Sequence, residues 1–230
     1  QWLPKIASGE ALVVLAHQER KARYRLDVCS ATATASGSGH VVNAHKSLVP
    51  VGDHADAFLV PAQLNGQIAL FLVERGASGL ALRGYGTQDG GRAAEMQCTN
   101  TPATLLTQHG LTALTLASDV ANAALCAEAV GAMEQTLHIT VDYMNQRKQF
   151  GVAIASFQAL RHRVADMKMQ LELARSMSYY ASLKMTAPAA ERHLAMARAR
   201  VQLGQAMRFV GQQAVQLHGG IGVTDEYIVS

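Results

Sequence analysis

What most constrains this chain is its second half. From about Leu111 onward, apolar residues recur at helical spacing over long stretches with few breakers. One stretch runs roughly from Ala113 to Arg147, and Gly151 follows where a helix could end. A second runs from about Ser156 to Met185, with Leu160, Val164, Met167, Leu171 and Ala174 on one stripe and Ser156 as the expected N-cap. Pro188 stands where a third can start, and that one reaches about Leu217 before Gly219-Gly220. Three long helices joined by short links predict an antiparallel bundle.

The first half has another texture. Residues 1–106 hold 11 of the 19 glycines and several short β-like runs: Leu12-Val13-Val14-Leu15, Ala57-Phe58-Leu59-Val60 and Ile68 to Val73. Asn65-Gly66 between the last two is a hairpin signal. Short strands at this spacing suggest a small barrel or sandwich. The expected fold class is therefore α+β, a small β-barrel or sandwich domain over 1–106 followed by a helical bundle domain over 107–230.

Composition closes several classes of function. A net charge of +3 with acids and bases interspersed, and no dense Lys/Arg block, gives no nucleic-acid footprint. Three cysteines, Cys29, Cys98 and Cys126, show neither metal spacing nor a disulfide framework. They read as small buried hydrophobes in a reducing cytoplasm. Leu111 to Met133 is the longest apolar stretch, but Asp119 and Glu128 interrupt it, so it reads as a buried helix rather than a membrane insertion. The chain opens without Met and stops in the middle of a motif, as part of a longer protein would.

Three constellations could carry chemistry. Tyr143 to Gly151 ends the first long helix with Arg147 and Lys148. A cation there suits the helix dipole, and a planar guanidinium also suits a diphosphate. Gln216-Leu217-His218-Gly219-Gly220-Ile221-Gly222 follows the third helix, with glycines that permit close backbone approach to a ligand. His218 reads first as a structural histidine. Phe157-Gln158 opens the second helix with an amide that can donate and accept. His162 and His193 are isolated on helices, and no metal-ligand cluster, nucleophile elbow or P-loop occurs.

In order, Arg147-Lys148-Gln149-Phe150-Gly151, Phe157-Gln158, Gln216 to Gly222 and Glu226-Tyr227 span about 80 residues. This series resembles the acyl-CoA dehydrogenase family. Ala127 to Met133 is similar to the family's preceding helix. Trp2 to Glu10, Asn43-Ala44-His45-Lys46 and Gly52-Asp53-His54-Ala55-Asp56 resemble its middle β-domain more loosely. The resemblance implies a middle β-domain followed by a four-helix bundle truncated here. It also implies FAD as cofactor, an acyl-CoA substrate, an electron-transfer flavoprotein as acceptor and a homotetramer or homodimer. The implied reaction is α,β-dehydrogenation: a carboxylate removes the α-proton while the β-hydrogen leaves as hydride to flavin N5. Arg147, Gln149 and Phe150 would lie at the FAD diphosphate, Phe157 and Gln158 would flank the FAD, and Gln216, Leu217, His218, Gly219 and Gly220 would hold its adenosine side. Asp119 would lie near the CoA.

The sequence also departs from that pattern. The family's usual base lies beyond Ser230, and its second known position is Ala121, so no catalytic base is expected among these residues. Asn122 replaces the Arg of an Asp-x-x-Arg pair. Gln18-Glu19-Arg20 stands for Thr-Glu-Pro, and Leu48-Val49-Pro50 for Trp-Ile-Thr. A non-catalytic partner subunit of a mixed dehydrogenase, or a relative with other flavin chemistry such as nitroalkane or thiol oxidation, are the alternatives.

Overall fold

The computed structural model describes residues 2–229. It divides into two compact units, one ending at Thr115 and the other beginning at Leu116.

The first unit opens with a short helix, α1 (Trp2–Ser8), that buries none of its residues. Seven strands follow: β1 (Val13–Leu15), β2 (Thr32–Ser36), β3 (Gly39–Pro50), β4 (Ala57–Leu64), β5 (Gln67–Glu74), β6 (Leu80–Gly86) and β7 (Arg92–Thr107). Five of them close a ring. β4 pairs with β2, β2 with β3, β3 with β7, β7 with β5, and β5 returns to β4. The expected barrel-or-sandwich is thus a five-stranded barrel, with β1 added beside β4 and β6 beside β7. β4 and β5 were legible because they are buried along nearly their whole length and read as continuous apolar runs. β3 and β7 were not, because exposed polar residues alternate with small buried ones and register shifts break each strand's pattern.

The β4–β5 hairpin forms where Asn65-Gly66 predicts it, with Leu64 opposite Gln67. Both turn residues have positive φ, 51° and 81°, the two-residue turn that matches strand twist. Gly66→Ala is expected to cost about 1 kcal/mol, because a Cβ disfavours that region. Equilibrium urea unfolding would measure it, and an unchanged midpoint would contradict the turn assignment.

The second unit is built on α2 (Gly110–Gln146), which starts in the first, then α3 (Gln158–Leu183) and α4 (Ala189–His218). Pro188 caps α4 as expected. Ser156 does not cap α3. It lies in a 3-10 turn and donates its hydroxyl to the Ala153 carbonyl at 2.7 Å, leaving Phe157 as the cap residue. The three helices share one core, with Cys126, Val130 and Met133 from α2, Met167 and Leu171 from α3, and Met196 and Leu203 from α4. Asp119 meets Arg192 and Tyr143 meets His218, so α2 and α4 run the same way. α3 runs against them, placing Arg175 at 2.8 Å from Glu134 of α2.

The expectation of a buried first helix is corrected. By length and composition α2 could cross a membrane, yet only 28% of its most apolar stretch is buried in the chain. Its Ala-rich sequence is apolar on every side, so periodicity could not tell the core stripe from Leu116, Val120 and Leu125, which are exposed.

Candidate functional site

The first motif is a tight hairpin at the end of α2. The Arg147 amide donates to the Tyr143 carbonyl at 2.8 Å, extending the helical turn, and the Arg147 carbonyl accepts from Ile154 at 2.8 Å. Between them β8 (Lys148–Gln149) pairs with β9 (Val152–Ala153). Phe150 and Gly151 make the turn with φ of 53° and 82°. A phenylalanine bears a conformational cost at that φ that a glycine would not. Its ring is 92% exposed and meets Phe157 edge-on, with centroids 6.1 Å apart. Arg147, Lys148, Gln149 and Gln158 are exposed around this aromatic pair. Among the described residues, neither Arg147 nor Lys148 has an ion-pair partner.

The second motif meets the first at the same end of the bundle. Tyr143 donates its hydroxyl to the His218 carbonyl at 3.2 Å, and the two rings lie 4.4 Å apart. Tyr227 packs against the imidazole at 5.0 Å and meets Tyr143 edge-on, with centroids 6.1 Å apart. His218 Nδ1 lies 2.8 Å from the Ala214 carbonyl, so that nitrogen carries the proton, and the buried Nε2 has no partner among the described residues. This is the structural histidine the sequence suggested. Gln216 is exposed, Leu217 is buried, and Gly219 breaks the helix with φ of 66°. The third glycine of the motif is needed for close packing: a Cβ on Gly222 would sit 2.6 Å from the Val215 carbonyl oxygen. Around Gly219 and Gly220 there is open space, so backbone groups there are accessible to a ligand.

Asp119 is placed elsewhere on α2 and is fully buried. Its Oδ2 accepts from Arg192 Nε at 2.8 Å, and its Oδ1 lies 3.2 Å from His193 Nδ1. Asp119 thus pairs with an arginine from α4 rather than with a residue at position 122. His193, read from sequence as isolated, is anchored on one ring nitrogen. Nothing local signalled either residue, because the pairing joins positions 73 and 74 residues apart.

In the first unit, Glu19 is buried against Lys46, with Oε1 2.7 Å from Nζ, while the Ser30 and Ala31 amides donate to the same carboxylate at 2.7 and 3.2 Å. Burial alone would raise the Glu19 pKa. The hydrogen bond and charge of Lys46, with the two amides, reverse that and hold it at about 2. Leu48 sits on the strand irregularity after Lys46 with φ of 49° and is exposed, whereas Val49 is buried.

Three helix ends carrying an exposed guanidinium, three amide side chains, an aromatic pair and open glycine backbone form a surface suited to a dinucleotide. The profile of the acyl-CoA dehydrogenase C-terminal domain matches residues 108–230. The chain belongs to the acyl-CoA dehydrogenase family. It is similar to the acyl-CoA dehydrogenase IpdE2 of Mycobacterium tuberculosis, 39% identical over 110 residues, which is 48% of this chain and 33% of that protein. Among solved structures, butyryl-CoA dehydrogenase from Megasphaera elsdenii superposes with a TM-score of 0.91 at 26% identity, covering 99% of this chain and 63% of that one. The ChsE4–ChsE5 complex from M. tuberculosis gives 0.84 at 26% identity, covering 99% and 61%. The chain therefore spans less than two thirds of each of these family members.

Proposed function

We propose that the shared end of α2, α3 and α4 is the FAD diphosphate and adenosine site of an acyl-CoA dehydrogenase. The observation that carries this reading is the unpaired, exposed Arg147, fixed by a hairpin beside the His218-Gly219-Gly220 turn. Arg147 is suited to bind the diphosphate as a charge-assisted fork. Gln149 and Gln158 offer amides, Phe150 and Phe157 an aromatic surface, and Gln216 to Gly220 side-chain and backbone groups for the adenosine end. When bound, FAD supplies hydride acceptance at N5 for α,β-dehydrogenation of an acyl-CoA. On this reading an electron-transfer flavoprotein is the acceptor and the assembly a homodimer or homotetramer. Asp119 has both oxygens taken by α4, so its part near the CoA would be to position Arg192 and His193. The test is to incubate the full-length protein with FAD, desalt it, and record the visible spectrum. A flavin spectrum, followed by bleaching with a member of an acyl-CoA panel, is expected; a colourless protein would sink the proposal.

A second reading has its own support. Ala121 occupies one family base position, and Leu48 and Pro50 lack the aromatic and hydroxyl groups expected beside the flavin ring. One structural relative is a two-protein complex. On this reading the chain lends its bundle end to a catalytic partner subunit. Co-purification with a flavin-replete second subunit supports it, and full activity of the isolated homo-oligomer excludes it.

A further inference from the structure

The irregular segment 16–31 between β1 and β2 is held to the barrel by backbone hydrogen bonds at its ends and by a side-chain cluster around Lys46. Lys46 is wholly inaccessible, and its Nζ touches Glu19 Oε1 at 2.7 Å and Cys29 Sγ at 3.8 Å. Cys29 is also within 3.5 Å of Glu19 Oε1 and 3.4 Å of the Pro61 carbonyl. A buried amine facing a thiol at van der Waals distance is close to the separation at which bond formation proceeds. The other two thiols differ: Cys98 and Cys126 are fully buried, whereas Cys29 is partly exposed. Burial pushes the Cys29 thiol up, with the Lys46 charge opposing, while Cys98 is pushed up to about 11 by burial.

We propose that Cys29 and Lys46 form an oxidative cross-link, a sulfenamide, when the protein meets a peroxide. In the first step the Cys29 thiol reacts with hydrogen peroxide to give a sulfenic acid and one water, the sulfur being oxidised by two electrons as the O–O bond is reduced. The Lys46 ammonium passes a proton along its short hydrogen bond to Glu19, and the freed amine attacks the sulfenic sulfur. The S–N bond forms, the S–O bond breaks, and hydroxide leaves with a proton as a second water. Thiol plus amine plus peroxide thus give the S–N link plus two waters. The link removes the Lys46 charge and ties segment 16–31 covalently to β3. A thiol reductant reverses it by restoring thiol and amine.

Trypsin reads the product directly. No Lys or Arg lies between Arg25 and Lys46, so Cys29 and Lys46 share one tryptic peptide, and blocking Lys46 extends it to Arg75. The full chain would be treated with hydrogen peroxide, alkylated, digested and analysed by mass spectrometry with and without dithiothreitol. The expected product is an unalkylated 26–75 peptide about 2 Da lighter than its reduced form, lost on reduction and suppressed by the sulfenic-acid trap dimedone. It should be absent from Cys29→Ser and unchanged in Cys126→Ser. Cleavage after Lys46 with Cys29 as sulfinic acid would overturn the proposal. So would a link that retains one oxygen, a persistent product in Cys29→Ser, or an unmodified Cys29 while the protein remains folded.

Discussion

Glu19→Ala is expected to destabilise the β-barrel unit by about 3–5 kcal/mol, because it leaves the Lys46 ammonium buried without its counter-charge. Two further losses act in the same direction: the Ser30 and Ala31 amides lose their shared acceptor. Lys46→Met should cost less. It removes the charge that needs compensation and leaves Glu19 with both amide donors. The ordering of the two single variants therefore separates a buried-charge penalty from simple loss of packing, which would make the bulkier Lys46 change the worse one. The double variant Glu19→Leu/Lys46→Met should regain part of the loss relative to Glu19→Ala, since an apolar pair can replace a buried ion pair. Native-state hydrogen exchange across β2 and β3, with urea unfolding followed by circular dichroism, measures all three. Equal midpoints for Glu19→Ala and the parent chain would remove the pair from any structural role. pH gives an independent check. The folded Glu19 carboxyl titrates near 2, below its unfolded value of 4.5. Its contribution is therefore complete above about 4.5 and is lost as pH falls from there toward 2. Glu19→Gln should flatten that part of the stability profile.

The same pair shows where sequence reading stopped. A lysine in β3 among Asn43, Ala44, His45 and Ser47 looks like a solvated strand residue, and its burial follows only from ring closure of the barrel. β4 and β5 were legible because burial on both faces writes itself as an apolar run. β7 was not, because the polar Glu95 and Gln97 alternate with buried Ala94, Met96 and Cys98, and Asn100 then adopts a positive φ. In the bundle, α3 and α4 could be traced from their stripes to within a few residues, whereas α2 hid its facing side in uniform alanine. The ligand motifs were legible as strings of residues at helix ends. Their convergence was not, since it depends on Tyr143 reaching His218 across 75 positions. Local propensity sets the helix ends; tertiary packing decides which of them meet.

Arg147→Glu tests the proposed site more severely than any other single change to the bundle. If the guanidinium grips a diphosphate, its removal forfeits a charge-assisted hydrogen bond of roughly 1.5–3 kcal/mol, about 10- to 150-fold in affinity. The introduced carboxylate then adds repulsion. Arg147→Lys keeps the charge but loses the planar fork, so it should fall between the parent and the reversal. Gln158→Ala removes only a neutral contact and should weaken binding by less than either arginine change. The competing explanation of Arg147 is a cation at a helix C-terminus, worth about 0.3–1 kcal/mol of folding stability and nothing to a ligand. The two explanations separate cleanly. Flavin titration of the apoprotein, read by fluorescence quenching, should give a large loss of affinity for Arg147→Glu, an intermediate one for Arg147→Lys and a small one for Gln158→Ala. Thermal unfolding of the ligand-free forms should differ little across the three, because Arg147 and Gln158 are exposed. If the melting temperature drops for Arg147→Glu while flavin affinity is untouched, the residue is a helix-end charge, and the diphosphate site belongs on another surface of the chain.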